Sequence, residues 1–153
     1  MSTTTNAMPE TNTVTVNGAT NEYALGGEGS SPVIILLNGF RMPLFSWEQL
    51  YPEIQKHGRV FVYNRHGIGK TSKATCPQTG AEIIRSLANV LQALQLPPPY
   101  ILVAHSLGGL FANLYARSQP EQVAAVVFVD ASHPDEIKEA KRISAAVVAT
   151  RLE

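Results

Sequence analysis

One cysteine, Cys76, stands in a chain of 153 residues, which excludes an internal disulfide and with it a disulfide-stapled scaffold. Charge of either sign is not in excess: 12 Lys and Arg balance 12 Asp and Glu, without a basic block. Nothing in that balance selects for nucleic acid or an anionic membrane surface. No basic-then-apolar leader opens the chain and no apolar run is long enough to span a bilayer, so a cytoplasmic protein is expected. The four histidines and the lone cysteine show none of the usual metal-ligand spacings, and no cofactor is expected. Internal repeats are absent as well.

What is present is apolar sequence, 44% of the residues, enough for one domain with a core. The opening "MSTTTNAMPETN" is polar and aperiodic, and reads as a disordered tail over residues 1–12, with the domain over 13–153. "TVTV" and "NEYAL" flank Asn17-Gly18, a pair that favours positive backbone angles and predicts a hairpin. Four near-continuous apolar runs follow: "VIILL" (33–37), "VFVY" (60–63), "YILVA" (100–104) and "VAAVVFV" (123–129). Runs of that kind are strands covered on both faces. Helical spacing predicts helices over 45–56, over 80–94 and over 107–118, and a last one over 134–150 that starts at Pro134. Strand and helix alternate, so the fold class is α/β with a mostly parallel sheet between helical layers.

Two strand exits carry candidate chemistry. "NRHGIGKTS" (64–72) departs by one residue from the phosphate-cradling pattern GxxxxGK[ST], with Asn64 in place of the first glycine. Such a loop must open a helix at once, because the helix N-terminus faces the phosphates. Pro77 and Gly80 interrupt any helix begun at Lys70, so a glycine-permitted turn with Lys70 and Thr71 at the surface is the simpler expectation. The second exit is "YILVAHSLGGLFANLYA" (100–116), which sets Ser106 between a buried strand and a helix with Ala104, Gly108 and Gly109 around it. Strand and helix approach closely at such a turn, so the residues two before and two after the serine must be small. The geometry is that of a nucleophile elbow, and the backbone N–H of Leu107 at the helix start favours a developing anion.

With these motifs the chain resembles the α/β-hydrolase family, of the single-domain esterase, peptidase and dehalogenase type, from about Val14 to about Glu136. "YALGGEGSSPVIILLNGF" is similar to the family's second and third strands and oxyanion loop, with Asn38 where a histidine is usual. The resemblance implies a backbone N–H of Phe40 as the second oxyanion donor. "VYNRHGIGKTS" is similar to the family's "YDRxGxGxS" turn after strand four, which makes Gly67 and Gly69 shapers of a turn lining the same crevice. It further implies a three-layer sandwich, a truncated α/β-hydrolase fold with about six of eight strands. The catalytic order Ser, then Asp or Glu, then His leaves Asp130 as the candidate acid, with a loop or helix-capping role as its alternative.

The base is the gap. The family's histidine follows its eighth strand, and these residues stop in the helix after the sixth. His57, His66 and His105 read as structural or exposed, and His133, in "DASHPDE", reads better as a helix cap than as a base reaching Ser106. Trp47 reads first as core packing, with substrate contact second. Three functions remain: a serine hydrolase on a small acyl substrate, inactive or impaired in this form; a non-catalytic hydrolase-like binding module; and, more weakly, a nucleotide binder. The uncharged β-branched run 123–129 predicts an open strand edge and self-association through it.

Overall fold

The structure, a computed structural model, describes residues 7–136 together with 138 and 139. Six strands form one sheet: β1 (Asn12–Val16), β2 (Ala19–Gly26), β3 (Val33–Leu37), β4 (Arg59–Tyr63), β5 (Tyr100–His105) and β6 (Val123–Val129). Their spatial order is β1-β2-β4-β3-β5-β6. β1, β2 and β4 pair antiparallel, while β4, β3, β5 and β6 run parallel. Asn17 and Gly18 take φ of 50° and 78°, the positive angles that the β1–β2 hairpin turn requires.

Three of the four apolar runs, β3, β4 and β5, are apolar throughout because each face of the sheet meets its own cover; β6, expected to be covered on both faces, is instead largely exposed. Val33, Ile35 and Leu37 pack with Leu87, Val90 and Leu91 of helix α2 (Gly80–Ala93) and with Ala112 and Tyr115 of helix α3 (Gly108–Ser118). Ile34 and Leu36 face the other way, onto Leu44, Trp47 and Tyr51. Burying each such side chain contributes about 2 kcal/mol, so alternation along one strand holds both layers. Helix α2 starts where its cap allows: the Thr79 side chain accepts from the Glu82 N–H at 3.2 Å.

Three further expectations are corrected. A single helix over 45–56 is replaced by a 3₁₀ turn (Leu44–Trp47), a one-turn helix α1 (Tyr51–Ile54) and a second 3₁₀ turn (Gln55–His57). Pro52 has no N–H to carry a helical ladder across that span, and it sits at the first turn of α1, where none is needed. The fold also begins before residue 13: Met8 packs against the layer of Trp47, and Thr11 hydrogen-bonds Glu22. Thr71, expected at the surface, is buried, and the reason is the polar network described below. The helix expected over 134–150 lies mostly outside the described residues.

At the far edge β6 has no strand beyond it among the described residues, and Val127, Phe128 and Val129 are exposed there. Among the described residues no helix is long and apolar enough to cross a membrane.

Candidate active site

Strand register assembles the site. Leu37 pairs with Ala104 and His105 with Val129, so three segments leave the same end of the sheet side by side: Asn38-Gly39-Phe40, Ser106-Leu107 and Asp130-Ala131. Between β5 and α3 the chain turns at Ser106 with φ 51°, a left-handed angle that a residue with a β-carbon adopts at a cost of about 1 kcal/mol or more. The neighbours hold it there. The Ser106 N–H donates to the Val129 carbonyl at 3.3 Å, and its own carbonyl accepts from Gly109 at 2.9 Å and Ser132 at 3.0 Å. Small residues are required as expected: a β-carbon on Gly108 would stand 2.4 Å from the Leu37 carbonyl oxygen, and one on Gly109 would stand 2.5 Å from the Ala131 side chain. Ala104 is fully buried.

Two backbone N–H groups at this end, those of Phe40 and Leu107, have no hydrogen-bond partner among the described residues. The first is aimed by a residue the sequence analysis passed over. Arg65, on the turn after β4, donates from Nη1 to the Asn38 carbonyl at 2.7 Å and from Nη2 to the Gly39 carbonyl. In a trans peptide the C=O and N–H point in opposite directions, so gripping the Gly39 carbonyl turns the Phe40 N–H away from the guanidinium. Arg65 also lies over the Phe111 ring of α3, 5.2 Å from its centroid, and thereby ties the loop to the helix behind Ser106. Burial pulls the guanidinium below its ordinary pKa, with Tyr63 acting weakly the other way. No carboxylate pairs with it among the described residues.

Asn38, which takes the place of a histidine, is a loop support. Its side chain donates to the Tyr63 carbonyl at 3.1 Å and the Met42 carbonyl at 3.3 Å, and accepts from the Trp47 indole at 2.8 Å. Trp47 therefore packs in the core and also lines a cavity of about 140 Å³ beside the elbow, with Gly39, Met42, Leu50, His105 and Val129.

The turn after β4 is sealed differently. Glu22 on β2 is buried, and its carboxylate accepts from the Asn64 side chain at 2.7 Å and the Lys70 N–H at 2.8 Å. Burial alone would raise its pKa; the hydrogen bonds from Lys70, Asn64 and Thr11 and the Lys70 charge outweigh that and hold it below the usual value. Asn64 passes the support on, its Oδ1 accepting from the Leu44 N–H at 2.7 Å. Thr71 donates to the Asn64 carbonyl and accepts from the Glu22 N–H. Gly69 sits against Glu22 and Asn64, where a β-carbon would come within 2.4 Å of both. It braces β2 rather than the crevice. No helix follows this turn before Gly80.

The remaining candidates are placed as follows. Asp130 is exposed at the end of β6, with φ 44° and no hydrogen-bonded side chain among the described residues. His133 Nδ1 accepts from the Asp135 N–H at 3.1 Å, so in that tautomer Nε2 carries the hydrogen and has no lone pair for a serine proton. His66 bonds the Ser72 carbonyl through Nδ1 at 3.1 Å, and His57 is exposed beyond α1. His105 is half-buried beside Gly39. Among the described residues no group of three or more His, Cys, Asp or Glu is placed to hold a metal ion.

Comparisons with known proteins identify the fold and the family. Residues 32–153 match the family model described as alpha/beta hydrolase fold. Methylesterase 9 of Arabidopsis thaliana is 31% identical over 104 residues, 66% of this chain and 40% of its own length. Epoxide hydrolase 4 of Homo sapiens is 28% identical over 115 residues, 74% of this chain and 32% of its own length. The crystal structure of a putative lipase from Acinetobacter baumannii AYE superposes with a TM-score of 0.75 at 23% identity, over 80% of this chain and 42% of that one. The chain spans less than half the length of the curated relatives it matches. It belongs to the α/β-hydrolase family.

Proposed function

We propose that this chain carries the nucleophile and the oxyanion donors of a serine hydrolase acting on a small carboxylic ester or related acyl substrate. One observation carries the reading: Ser106 is held at a left-handed angle on a strand-to-helix turn beside two unpartnered N–H groups, those of Phe40 and Leu107. Attack of the Ser106 oxygen on a carbonyl forms a C–O bond, gives up the hydroxyl proton to a base, and moves the carbonyl electron pair onto oxygen, where those N–H groups would receive it. Collapse expels the alcohol as it takes up a proton, and water then releases the acid from the acyl-serine. Asp130, one residue past the Val129 carbonyl that holds Ser106, is the acid of this reading, available to orient a histidine.

The nucleophile's identity favours acyl chemistry over the ring opening named for the human relative. A serine that opened an epoxide would be left as an alkyl ether, which water does not cleave under mild conditions, so the enzyme would stop after one event. An acyl-serine turns over. The named chemistry of the methylesterase relative suits this elbow.

His133 is turned to its own loop, and the other described histidines are placed away from a base's task. The hydroxyl is therefore expected to react slowly: a fluorophosphonate probe labels Ser106 over hours, and Ser106→Ala removes the label. Labelling unchanged in Ser106→Ala would overturn the assignment. Rapid labelling lost in His133→Ala would instead give His133 the role of base.

A further inference from the structure

We propose that the cavity beside the elbow is the acyl pocket and that it selects short, straight, apolar acyl chains of up to about six carbons. The proposal rests on the serine-hydrolase reading for the word acyl, but the pocket's chemistry stands on its own walls. Gly39 and Val129 belong both to the cavity lining and to the segments that frame Ser106, so a chain entering the cavity leads away from the reacting carbonyl. Met42, Trp47, Leu50 and Val129 supply apolar surface. Asn38 also faces the cavity, yet its amide is committed to Trp47, Met42 and Tyr63, so it offers a ligand little more than its packing surface.

Size sets the limit. The cavity measures about 140 Å³. An apolar cavity of about 150 Å³ holds one benzene, six carbons, so the same number of chain carbons fills this one. Ser46 and His105 also line the cavity, but its surface is mostly apolar, so a charged or strongly polar acyl group would lose more water than those two side chains replace. Leu50 is 54% exposed and stands at the mouth, which makes it the residue whose size sets where the pocket ends.

Trp47 is the chain's one tryptophan, and its indole N–H lies in this wall, so a single resonance reports occupancy without any need for turnover. The experiment is a titration of ¹⁵N-labelled protein with unreactive straight-chain primary amides, from acetamide to octanamide, followed at the indole signal. Affinity is expected to rise about fourfold per methylene as far as hexanamide and then to level off. Leu50→Ala should carry the rise on to longer chains, and Ser106→Ala should leave the profile as it is. An indole signal that none of the amides moves, a rise that continues through octanamide, or a break unchanged in Leu50→Ala would overturn the proposal. The two readings separate cleanly: amide binding with an inert Ser106 keeps the pocket and removes the hydrolase, while a labelled Ser106 with no amide binding does the reverse.

Discussion

Two turns leave the same end of the parallel sheet, Asn64–Ser72 after β4 and Ser106-Leu107 after β5, and they treat their polar groups in opposite ways. The first closes on itself: Glu22, Asn64 and Thr71 are all buried, and each is hydrogen-bonded. At the second a hydroxyl and an N–H have no partner among the described residues, at a backbone angle that costs energy to hold. Unsatisfied donors at a strained position mark a place prepared for something that is not yet there, whereas a saturated network marks support. That contrast supports the proposal that the phosphate-loop look-alike is scaffold and that the elbow is the working site. Arg65 connects them, since it belongs to the first turn and grips the carbonyls of the loop that flanks the second.

The comparison breaks or holds most visibly in a crossed pair of variants. Ser106→Gly is expected to abolish phosphonate labelling and to raise stability by about 1 kcal/mol, because glycine relieves the left-handed angle. Glu22→Ala should do the converse, destabilising by about 3 kcal/mol as the Asn64 amide and the Lys70 N–H lose their buried acceptor. Urea melts of both proteins decide it; a Ser106→Gly protein that is less stable than the parent would mean the elbow stores no strain. The pH dependence has a definite sign. The Glu22 pKa is lower folded than unfolded, so its contribution is fully present above the unfolded value near 4.5 and is lost as pH falls through the folded value. Glu22→Ala should therefore lose part of its deficit as the pH falls through the folded value, parent and variant drawing together in acid.

Much of this was legible in the sequence, and the failures share a cause. β3, β4 and β5 could be read because burial on both faces writes itself as an unbroken apolar run, β1 and β2 because Asn17-Gly18 marks the hairpin between them, and the elbow because close strand-helix approach admits only small residues at 104 and 108. The helix over 45–56 misled because its apolar spacing reflects residues covering the sheet from short turns, with Pro52 preventing the continuous ladder. Thr71 misled for another reason: a polar residue looks exposed in sequence unless its partner is known, and its partner Glu22 lies 49 positions away in the chain. Arg65 was passed over although it fills the arginine position of the turn pattern matched at 63–72, because spacing alone does not say that its side chain serves two backbone carbonyls of a neighbouring loop.

Arg65 sharpens the comparison in a smaller way. If it aims the Phe40 N–H, then Arg65→Met should lower the labelling rate of Ser106 about tenfold, below the hundredfold or more that follows outright loss of an oxyanion donor. Arg65→Lys keeps a charge but cannot hold two carbonyls with a planar fork, so it should recover only part of the rate. A purely structural residue would lose stability and labelling together. Rate loss without a matching change in the urea midpoint is the expected outcome, and the ¹⁵N–¹H shift of the Phe40 amide, altered in both variants, is the direct readout.

The smallest effect belongs to Lys70, the residue that a nucleotide site would need most. In a phosphate loop its ammonium would meet the phosphates, and Lys70→Ala would end binding. Here the fold uses only its backbone N–H, on Glu22, while the side chain is exposed and adds a favourable charge near that carboxylate. Alanine keeps the N–H, so Lys70→Ala should change stability by less than about 0.5 kcal/mol. Saturating ATP or GTP with magnesium should leave the melting temperature of the parent where it was, although a true site at a hundredfold excess over its dissociation constant would add about 2.7 kcal/mol. The reason is geometric: from Asn64 to Thr79 the chain makes turns, and the next helix begins at Gly80, too late to present its N-terminus to a phosphate held by this loop. A magnesium-dependent rise in melting temperature that disappears in Lys70→Ala would reverse the assignment of the two turns, making the saturated one the site.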